Sequence, residues 1–598
     1  MKQKELLKRS DVPVQDTWDT TTIFADDDAF ETAFKEVESL LGEAETFQGR
    51  LAESAETLIA ALDYRNTLIQ KVEHLYTYAH LNSDVDTSNS LYQGLQSRGR
   101  TLYAKVASAL SFYESELLAA DETILKQYLQ EPGLKVYQHE FEILFRRRPH
   151  ILSQAEESLL AKASDVLSAS SQTFSILNNA DLKLPMVKDD EGNEVQLSHG
   201  RYGMFMESKH REVREGAFKA MYATYGQFRN TFASTLSSTV KQHGFSADVR
   251  HFASARNAAL TSNHIDESVY DALVEAVNQR LPLLHRYVQL RKHVLKLDDV
   301  RMYDLYVPMV DDIDLKFTYE EAKEIVLDAL SVLGDDYVGL LKKAFESRWI
   351  DPYENIGKRS GAYSSGSYNT DPYILLNWQD NLDNVYTLAH ELGHSMHSYY
   401  TRSNQPFIYG DYSIFLAEVA STTNENLLTD YLLKKYDDPK IRAYILNHYL
   451  DGVKGTIYRQ TQFAEFEHLI HVADQNGTAL TADWLSEQYE AINRKYYGDG
   501  MVYDEEIRLE WARIPHFYYN YYVYQYATGF SAASALSAKI LSGGQPAVDA
   551  YLNYLKAGSS DFPIEVLRKA GVDMSTNQPT IDALEVFEQR LKQLEEVL

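Results

Sequence analysis

The sequence predicts a mainly α-helical fold for its 598 residues. Only 14 prolines and 28 glycines interrupt the chain, and long segments carry apolar residues at helical spacing. Strand patterns are few and short. The hydrophobic fraction of 44% is enough for a large core, and the length exceeds what one core normally reaches, so we expect at least two subdomains.

Amphipathic helices are predicted from the N-terminal region onward. In residues 26–45 the expected N-cap is Asp28, and one stripe carries Phe30, Phe34, Val37 and Leu41. The same spacing predicts helices over residues 58–79, 154–168, 319–345 and 580–598.

Two segments carry strand patterns. Residues 182–198 alternate apolar and polar positions around a turn-forming stretch at 190–193, which predicts a β-hairpin that links an N-terminal helical region to the rest of the chain. Residues 372–378, "PYILLNW", form a short apolar run just before a histidine cluster, and we expect a buried or edge strand there.

Charge and cysteine content narrow the classes of partner and cofactor. The chain has 58 Lys and Arg against 87 Asp and Glu, and the net charge of -29 opposes binding to nucleic acid or to anionic membranes. Cysteine is absent, so a bound metal needs His and carboxylate ligands. The N-terminal stretch has no apolar signal segment, and no later run reaches membrane-spanning length, which favours a cytoplasmic protein.

The histidine cluster lies in "TLAHELGHSMHSYY", residues 387–400. On a helix, His390 and His394 lie one turn apart on the same face and can bind one cation. Glu391 lies about 100° further round the helix, where it can reach a metal-bound water without being a ligand. This is the H-E-x-x-H arrangement, which also arises by chance, so a third ligand is needed to support it.

A second predicted helix supplies that ligand in "IFLAEVAST". Glu418 follows His394 by 24 residues in an apolar neighbourhood, where a bound cation would offset the cost of burying a carboxylate. The alternative is that Glu418 faces water or pairs with a basic side chain. Glu425 lies two turns later on the same face, and it is a candidate hydrogen-bond acceptor for one of the histidines that would bind the metal. His397 lies near the histidine face, although an exposed helical histidine needs no special role.

The supporting features of the histidine helix are less specific. Asp383 is the expected cap at its start. Gly393 weakens a helix by about 1 kcal/mol relative to Ala. Its presence is explained equally well by tolerance and by the close approach of another backbone or a substrate.

A tyrosine-rich segment follows near the end of the chain, at residues 510–537. If the residues after Pro515 are helical, His516, Tyr519 and Tyr526 lie near one face, with Tyr522 to one side. Neutral imidazole and phenol groups can donate hydrogen bonds to an oxyanion. Tyrosines on a helix are also common as core residues whose hydroxyls reach the surface.

These stretches resemble the oligoendopeptidase F family, within the thimet oligopeptidase-like zinc metallopeptidases. The matching segments are "AHELGHSMHSYY", "IFLAEVASTTNENLL" and "RIPHFYYNYYVYQYATG", supported by "RHFASARNAAL", "RMYDLYVPM" and "RKAGVDMST". Together they cover most of the chain from about Ser198 onward. The resemblance implies a mainly α, closed, bowl-like zincin fold with an internal substrate channel and a small β-sheet beside the zinc helix. Residues 1–197 would form a helical region that covers the channel, and residues 198–598 the catalytic region.

The resemblance also implies the site and its chemistry. One zinc ion per chain is expected on His390, His394 and Glu418, with Glu391 as the base that activates a zinc-bound water. His516, Tyr519 and Tyr526 are expected to contact the substrate or transition state. The predicted function is hydrolysis of internal peptide bonds in unfolded oligopeptides.

Several alternatives remain open at this point. A peptide-binding protein with structural zinc would lack hydrolysis, and an exopeptidase would remove terminal dipeptides. Cobalt or manganese could use the same ligands. The sequence does not distinguish a monomer from a homo-oligomer.

Overall fold

A computed structural model describes residues 6–310 and 315–598 of the chain. Residues 1–5, which belong to the N-terminal stretch discussed above, lie outside this range. The predicted mainly α-helical fold with small sheets is confirmed.

Within the described residues, the α-helices lie in chain order as follows. They are α1 (Asp27–Leu40), α2 (Ala55–Asp84), α3 (Ser90–Ala109), α4 (Phe112–Ala119), α5 (Glu122–Tyr128), α6 (Gln138–Arg147), α7 (Gln154–Leu167), α8 (Ala169–Ile176), α9 (His199–Met206), α10 (Arg211–Gln227), α11 (Arg229–Val249), α12 (Ala255–Ser262), α13 (Glu267–Gln279), α14 (Leu281–Val294), α15 (Tyr319–Ala329), α16 (Asp335–Glu346), α17 (Leu382–Asn404), α18 (Ile414–Lys435), α19 (Pro439–Val453), α20 (Arg459–Gln475), α21 (Ala482–Tyr497), α22 (Tyr524–Gly543), α23 (Gln545–Ala557), α24 (Pro563–Lys569) and α25 (Gln578–Val597). The strands are β1 (Met186–Lys188), β2 (Glu194–Gln196), β3 (Ile350–Asp351), β4 (Tyr363–Ser365) and β5 (Tyr373–Leu375).

The predicted helices are confirmed, with two corrections: one N-cap residue differs, and one predicted helix is divided in two. The cap of α1 is Asp26, whose carboxylate accepts a hydrogen bond from the Ala29 N–H at 2.8 Å, so the assignment to Asp28 is wrong by two residues. The single helix predicted over residues 319–345 is two helices, because Gly334 adopts φ 94° between α15 and α16, a left-handed conformation that ends the helical path.

Both predicted strand segments are confirmed. Strands β1 and β2 form the expected antiparallel hairpin, with Val187 opposite Val195. Strand β5 lies in the centre of a three-stranded sheet of order β3-β5-β4, parallel to β3 and antiparallel to β4. Its three residues are buried, which explains their continuous apolar pattern. Strand β4 is therefore an edge of this sheet.

The chain forms two compact units. The first contains the residues up to Pro149, Leu315–Tyr431 and Leu536–Gly571, and the second contains His150–Asp314, Leu432–Ala535 and Val572–Leu598. Each unit is built from separate stretches of sequence. The predicted boundary between residues 197 and 198 concerns functional roles, and it stays a prediction.

Each unit has its own apolar core. In the first unit, Phe30 and Phe34 of α1 pack with Leu68 and Val72 of α2 in a cluster that also includes residues of α3. In the second unit, the ring of Phe466 on α20 lies 5.1 Å from that of Tyr489 on α21. None of the helices in the described residues combines the length and the apolar character needed to cross a membrane.

Candidate metal centre

The first wall of the site is α17, which carries His390, Glu391 and His394. Its cap is Asn381, whose side-chain oxygen accepts a hydrogen bond from the Asn384 N–H at 2.8 Å, so the expected cap at Asp383 is wrong. The apolar stripe of α17 is fully buried, which fixes the orientation of the opposite face; it contains Val385, Leu388, Ala389, Leu392 and Met396. The three candidate side chains therefore project from a helix whose opposite face is held in the core.

Close packing of α18 against α17 brings the third side chain into reach. A Cβ atom on Gly393 would lie 2.5 Å from the Cα atom of Ser421 and 2.9 Å from the carbonyl oxygen of Ala420. Backbone atoms cannot move aside as a flexible side chain can, so only glycine allows this contact. Of the explanations left open above, the close approach of another backbone is the correct one.

A buried hydrogen bond fixes the register between the same two helices. The side-chain amide of Asn424 donates to the carbonyl oxygen of Ala389 at 3.0 Å. Asn424 lies one residue before Glu425, and Ala389 one residue before His390. This bond therefore aligns the carboxylates of α18 with the imidazoles of α17.

Three side-chain atoms from these helices converge on one point. Nε2 of His390 lies 3.2 Å from Nε2 of His394. Oε2 of Glu418 lies 3.3 Å from the first nitrogen and 3.4 Å from the second. A tetrahedral zinc ion with bonds of about 2.0–2.1 Å needs ligand atoms about 3.3–3.4 Å apart. The separations therefore fit one small cation at this point.

The burial expected for Glu418 is only partly correct. Its side chain is 47% exposed, compared with 27% for His390 and 19% for His394. Convergence on the two imidazoles, rather than deep burial, is what singles out this carboxylate. The open side also leaves room for a water molecule or a substrate.

Glu425 makes the contact predicted for it. Its Oε1 lies 2.6 Å from Nδ1 of His390, so the imidazole donates this N–H and its Nε2 atom faces the convergence point. Burial alone lowers the pKa of His390, but hydrogen bonds to Glu418 and Glu425 outweigh it and raise the pKa to about 10. The same bonds hold the pKa of Glu418 well below its usual range, although burial opposes this shift. The cluster therefore favours a positive charge at its centre.

Glu391 lies apart from the three converging atoms. It is 7% exposed, and its Oε2 atom has no hydrogen-bond partner in the described part of the chain. Burial raises the pKa of this carboxyl, and the charges of His390 and His394 partly offset the effect. A buried carboxylate with a free oxygen and a raised pKa is suited to accept a proton.

Strand β4 lies beside α17, as expected for the small sheet. The hydroxyls of Ser364 on β4 and Ser395 on α17 are 2.8 Å apart. Ser395 follows His394 directly, so the edge strand passes next to the site.

His397 does not join the cluster. It is almost fully buried, and its ring stacks on Tyr412 with centroids 3.7 Å apart. Burial lowers its pKa to about 3, so this imidazole is neutral at physiological pH. Its role is packing.

Within the tyrosine-rich segment, residues 515–526 do not form one helix. A 3-10 turn ends at Tyr518 and α22 begins at Tyr524, so the assumption of a continuous helix after Pro515 is wrong. Four rings nevertheless meet. The His516 ring lies 5.6 Å from Tyr519 and 5.8 Å from Tyr526, and Tyr522 lies 6.4 Å from Tyr519 and 5.6 Å from Tyr526. Tyr522 therefore belongs to this ring cluster and does not lie to one side.

An unusual backbone conformation lets the four rings meet. Asn520 and Tyr521 adopt φ of 51° and 58°, in the left-handed region that non-glycine residues rarely occupy. The Tyr521 N–H donates to Oε1 of buried Glu467 at 2.6 Å, and its hydroxyl lies 3.1 Å from Nδ1 of His468. Glu467 is not among the residues predicted from the sequence, where its signal is an acidic residue within the stretch "FAEFEHLIH".

The ring cluster has the chemistry expected of hydrogen-bond donors. Burial lowers the pKa of His516, which favours the neutral imidazole, and its N–H can donate a hydrogen bond. Tyr519 is 56% exposed, which leaves its hydroxyl available to a ligand.

Comparison with known proteins gives two family matches. Residues 204–586 match the model described as Peptidase family M3, and residues 116–183 match the one described as Oligopeptidase F. The chain is 55% identical to oligopeptidase PepF of Bacillus subtilis, over all of this chain and 89% of the relative. It is 51% identical to group B oligopeptidase PepB of Streptococcus agalactiae, over 99% of this chain and 98% of that protein.

A solved structure shows the same fold. The crystal structure of oligoendopeptidase F from Enterococcus faecium matches with a TM-score of 0.74 at 47% identity, and the match covers 96% of this chain and 99% of that one.

Proposed function

The chain belongs to peptidase family M3, and from that premise we propose that His390, His394 and Glu418 bind one zinc ion per chain, with Glu391 as the general base. Family membership makes the protein a metalloendopeptidase that hydrolyses oligopeptides. The identity of the metal and the roles of individual residues are the content of the proposal.

The observation that carries the proposal is the convergence of three ligand atoms within 3.2–3.4 Å of one another. Two nitrogen atoms and one carboxylate oxygen form the donor set typical of catalytic zinc, with a position left for water or substrate. Glu425 behind His390 supports the assignment, because carboxylates commonly orient the imidazoles that bind zinc.

The mechanism assigns a separate task to each residue. When bound, zinc would act as a Lewis acid on the scissile carbonyl and make water more acidic. Glu391 accepts the proton of the attacking water and later delivers it to the leaving nitrogen. Its lack of a hydrogen-bond partner on Oε2 favours this transfer.

His516, Tyr519 and Tyr526 are proposed to donate hydrogen bonds to the oxyanion or to hold the substrate. Tyr522 joins this proposal, because its ring lies within the same cluster. Donors of this kind typically contribute about 10²- to 10³-fold to turnover.

The proposal extends to substrate access and location. An extended peptide can pair with the free edge of β4, next to the metal helix. We also propose that residues 1–197 cover a catalytic region of residues 198–598 and thereby restrict substrates to unfolded oligopeptides. We place the enzyme in the cytoplasm, and fractionation of the source cells tests that location.

Product mapping by mass spectrometry tests the proposed function. The substrates are end-blocked oligopeptides, incubated with the enzyme as purified, with a chelator, and with zinc restored after chelation. We expect internal cuts that disappear with the chelator and return with zinc. Removal of dipeptides only from unblocked peptides would assign an exopeptidase, and absence of cleavage with zinc bound would assign a binding protein.

A further inference from the structure

A large cavity lies in the first compact unit, next to the strand and helix that carry the metal centre. Its volume is about 830 Å³, enough for several amino-acid side chains. One face of α2, the chain after β4 and the end of α17 line most of it. No role has been given to this cavity so far.

Two arginines that line the cavity differ in whether they form an ion pair. Arg65 forms an ion pair with Glu140 at 2.7 Å. Arg402, in contrast, has no hydrogen bond or ion pair within the described residues, although it is half-buried. A guanidinium group cannot lose its charge, so a half-buried one without a partner favours binding of an anion.

Two carboxyl groups of the same cavity, Glu73 and Asp411, form no ion pair with Arg402 within the described residues. Glu73 faces the same cavity and forms no ion pair in the described part of the chain. Burial raises its pKa to about 7, Arg402 opposes this shift, and Asp411 adds to it. The raised pKa favours the protonated form of Glu73, which can donate a hydrogen bond to a carboxylate.

The cavity is continuous with the path of a peptide along β4. Ser364 contacts Ser395 beside the metal centre, and Gly366 lines the cavity two residues later. A Cβ atom on Gly366 would lie 3.1 Å from Nη1 of Arg402, so the missing side chain leaves space for the guanidinium over the end of the strand. Strand and helix therefore run side by side from the metal centre to Arg402.

The spacing along this path sets which substrate residue reaches the cavity. His394 and Arg402 are eight positions apart on α17, or about 12 Å at 1.5 Å per residue. An extended peptide covers about 3.3 Å per residue, so this distance corresponds to three or four residues.

We propose that this cavity is a substrate subsite in which Arg402 binds a carboxylate of the peptide, three or four residues from the cleaved bond. The inference rests on the proposed endopeptidase function and adds a substrate preference to it. The carboxylate comes either from an Asp or Glu side chain or from the C-terminus of the peptide. The net charge of -29 does not prevent this, because exposed charges are screened beyond about 8 Å at physiological salt.

The test compares peptides that differ at one position. The parent is an uncharged, end-blocked oligopeptide with a single cleavage site, and Glu, Gln or Lys replaces the third or fourth residue on either side of that site. A parallel pair carries a free or an amidated C-terminus at the same distances. The zinc-loaded enzyme is assayed for kcat/KM, and mass spectrometry confirms that the cut does not move.

The enzyme variants are Arg402→Gln and Arg402→Glu, with Arg147→Gln as the control. Arg147 is an exposed arginine of α6 that pairs with Glu114 and does not line the cavity. Zinc content of each variant is measured first. The parent peptide has no charged residue, so its cleavage by the unaltered enzyme tests the proposed endopeptidase function independently of the subsite.

We expect the unaltered enzyme and Arg147→Gln to cleave the Glu peptide about tenfold faster than the Gln peptide at one position, since a bond between two charged groups is strong. Arg402→Gln should reduce that ratio to near one, and Arg402→Glu should invert the preference towards Lys. A preference only for the free C-terminus would identify the terminal carboxylate as the source. An unchanged Glu/Gln ratio in Arg402→Gln, or a preference of the unaltered enzyme for Lys, would overturn the proposal.

Discussion

Replacing Gly393 by Ala should weaken the metal centre without unfolding the protein. The new Cβ atom would lie 2.5 Å from the Cα atom of Ser421, whereas carbon atoms in contact are normally about 3.5–4.0 Å apart. Helix α18 must therefore move away from α17 by about 1 Å. Glu418 moves with it, and its carboxylate then lies outside the narrow range of distances that zinc accepts.

The free energies indicate that this variant remains folded. Overpacking typically costs about 1–3 kcal/mol. Alanine is a better helix former than glycine by about 1 kcal/mol, which offsets part of that cost. Zinc affinity should fall at least about 100-fold, which corresponds to about 2.8 kcal/mol.

Competition with a chromophoric chelator measures the zinc affinity, and thermal unfolding measures stability. Gly94→Ala in α3 is the matched control, because a Cβ atom there has no neighbour within 4 Å. That control should keep its zinc affinity and become slightly more stable. Unchanged zinc affinity in Gly393→Ala would refute the idea that close helix packing positions Glu418.

Three further predictions concern Glu425, His516 and Glu467. Glu425→Ala should weaken zinc binding about 10- to 100-fold, measured by the same competition, because His390 loses its hydrogen-bond acceptor; unchanged affinity would contradict that role. His516→Ala should lower kcat/KM about 10²- to 10³-fold while zinc content stays at one per chain, and full activity would exclude it as an oxyanion donor. Burial raises the pKa of Glu467 to about 8 from an ordinary value of 4.5, so the folded protein binds this proton more tightly than the unfolded chain and loses stability as pH rises through that window. Glu467→Gln should therefore gain melting temperature relative to the unaltered protein between pH 5 and pH 9, and a difference independent of pH would contradict the assignment.

The sequence was sufficient to predict the helical fold and the three side chains that converge, His390, His394 and Glu418, for a physical reason. The spacing of His390 and His394 depends only on helix geometry, which is local. The apolar stripe around Glu418 likewise marks its helix from local pattern alone. Both features depend on the sequence within one helix, and α17 and α18 are 23 and 22 residues long.

Other features depend on contacts between segments that are distant in the sequence, so local sequence patterns could not predict them. The role of Gly393 follows from the backbone of Ser421, which belongs to another helix. The left-handed conformation of Asn520 and Tyr521 depends on Glu467, more than fifty residues away in sequence. The N-cap of α17 is Asn381 and not the expected Asp383. Several side chains near the start of a helix can accept a hydrogen bond from its free N–H groups, and the local sequence does not show which of them does so.

The most direct test of the account is Glu391→Gln, assayed for zinc content and for cleavage of an end-blocked oligopeptide in the same preparation. The amide is close to the carboxylate in size but cannot accept the proton of water at neutral pH. The account predicts one zinc per chain and loss of nearly all turnover. Cleavage at the rate of the unaltered enzyme with zinc bound would contradict the assignment of Glu391 as the general base.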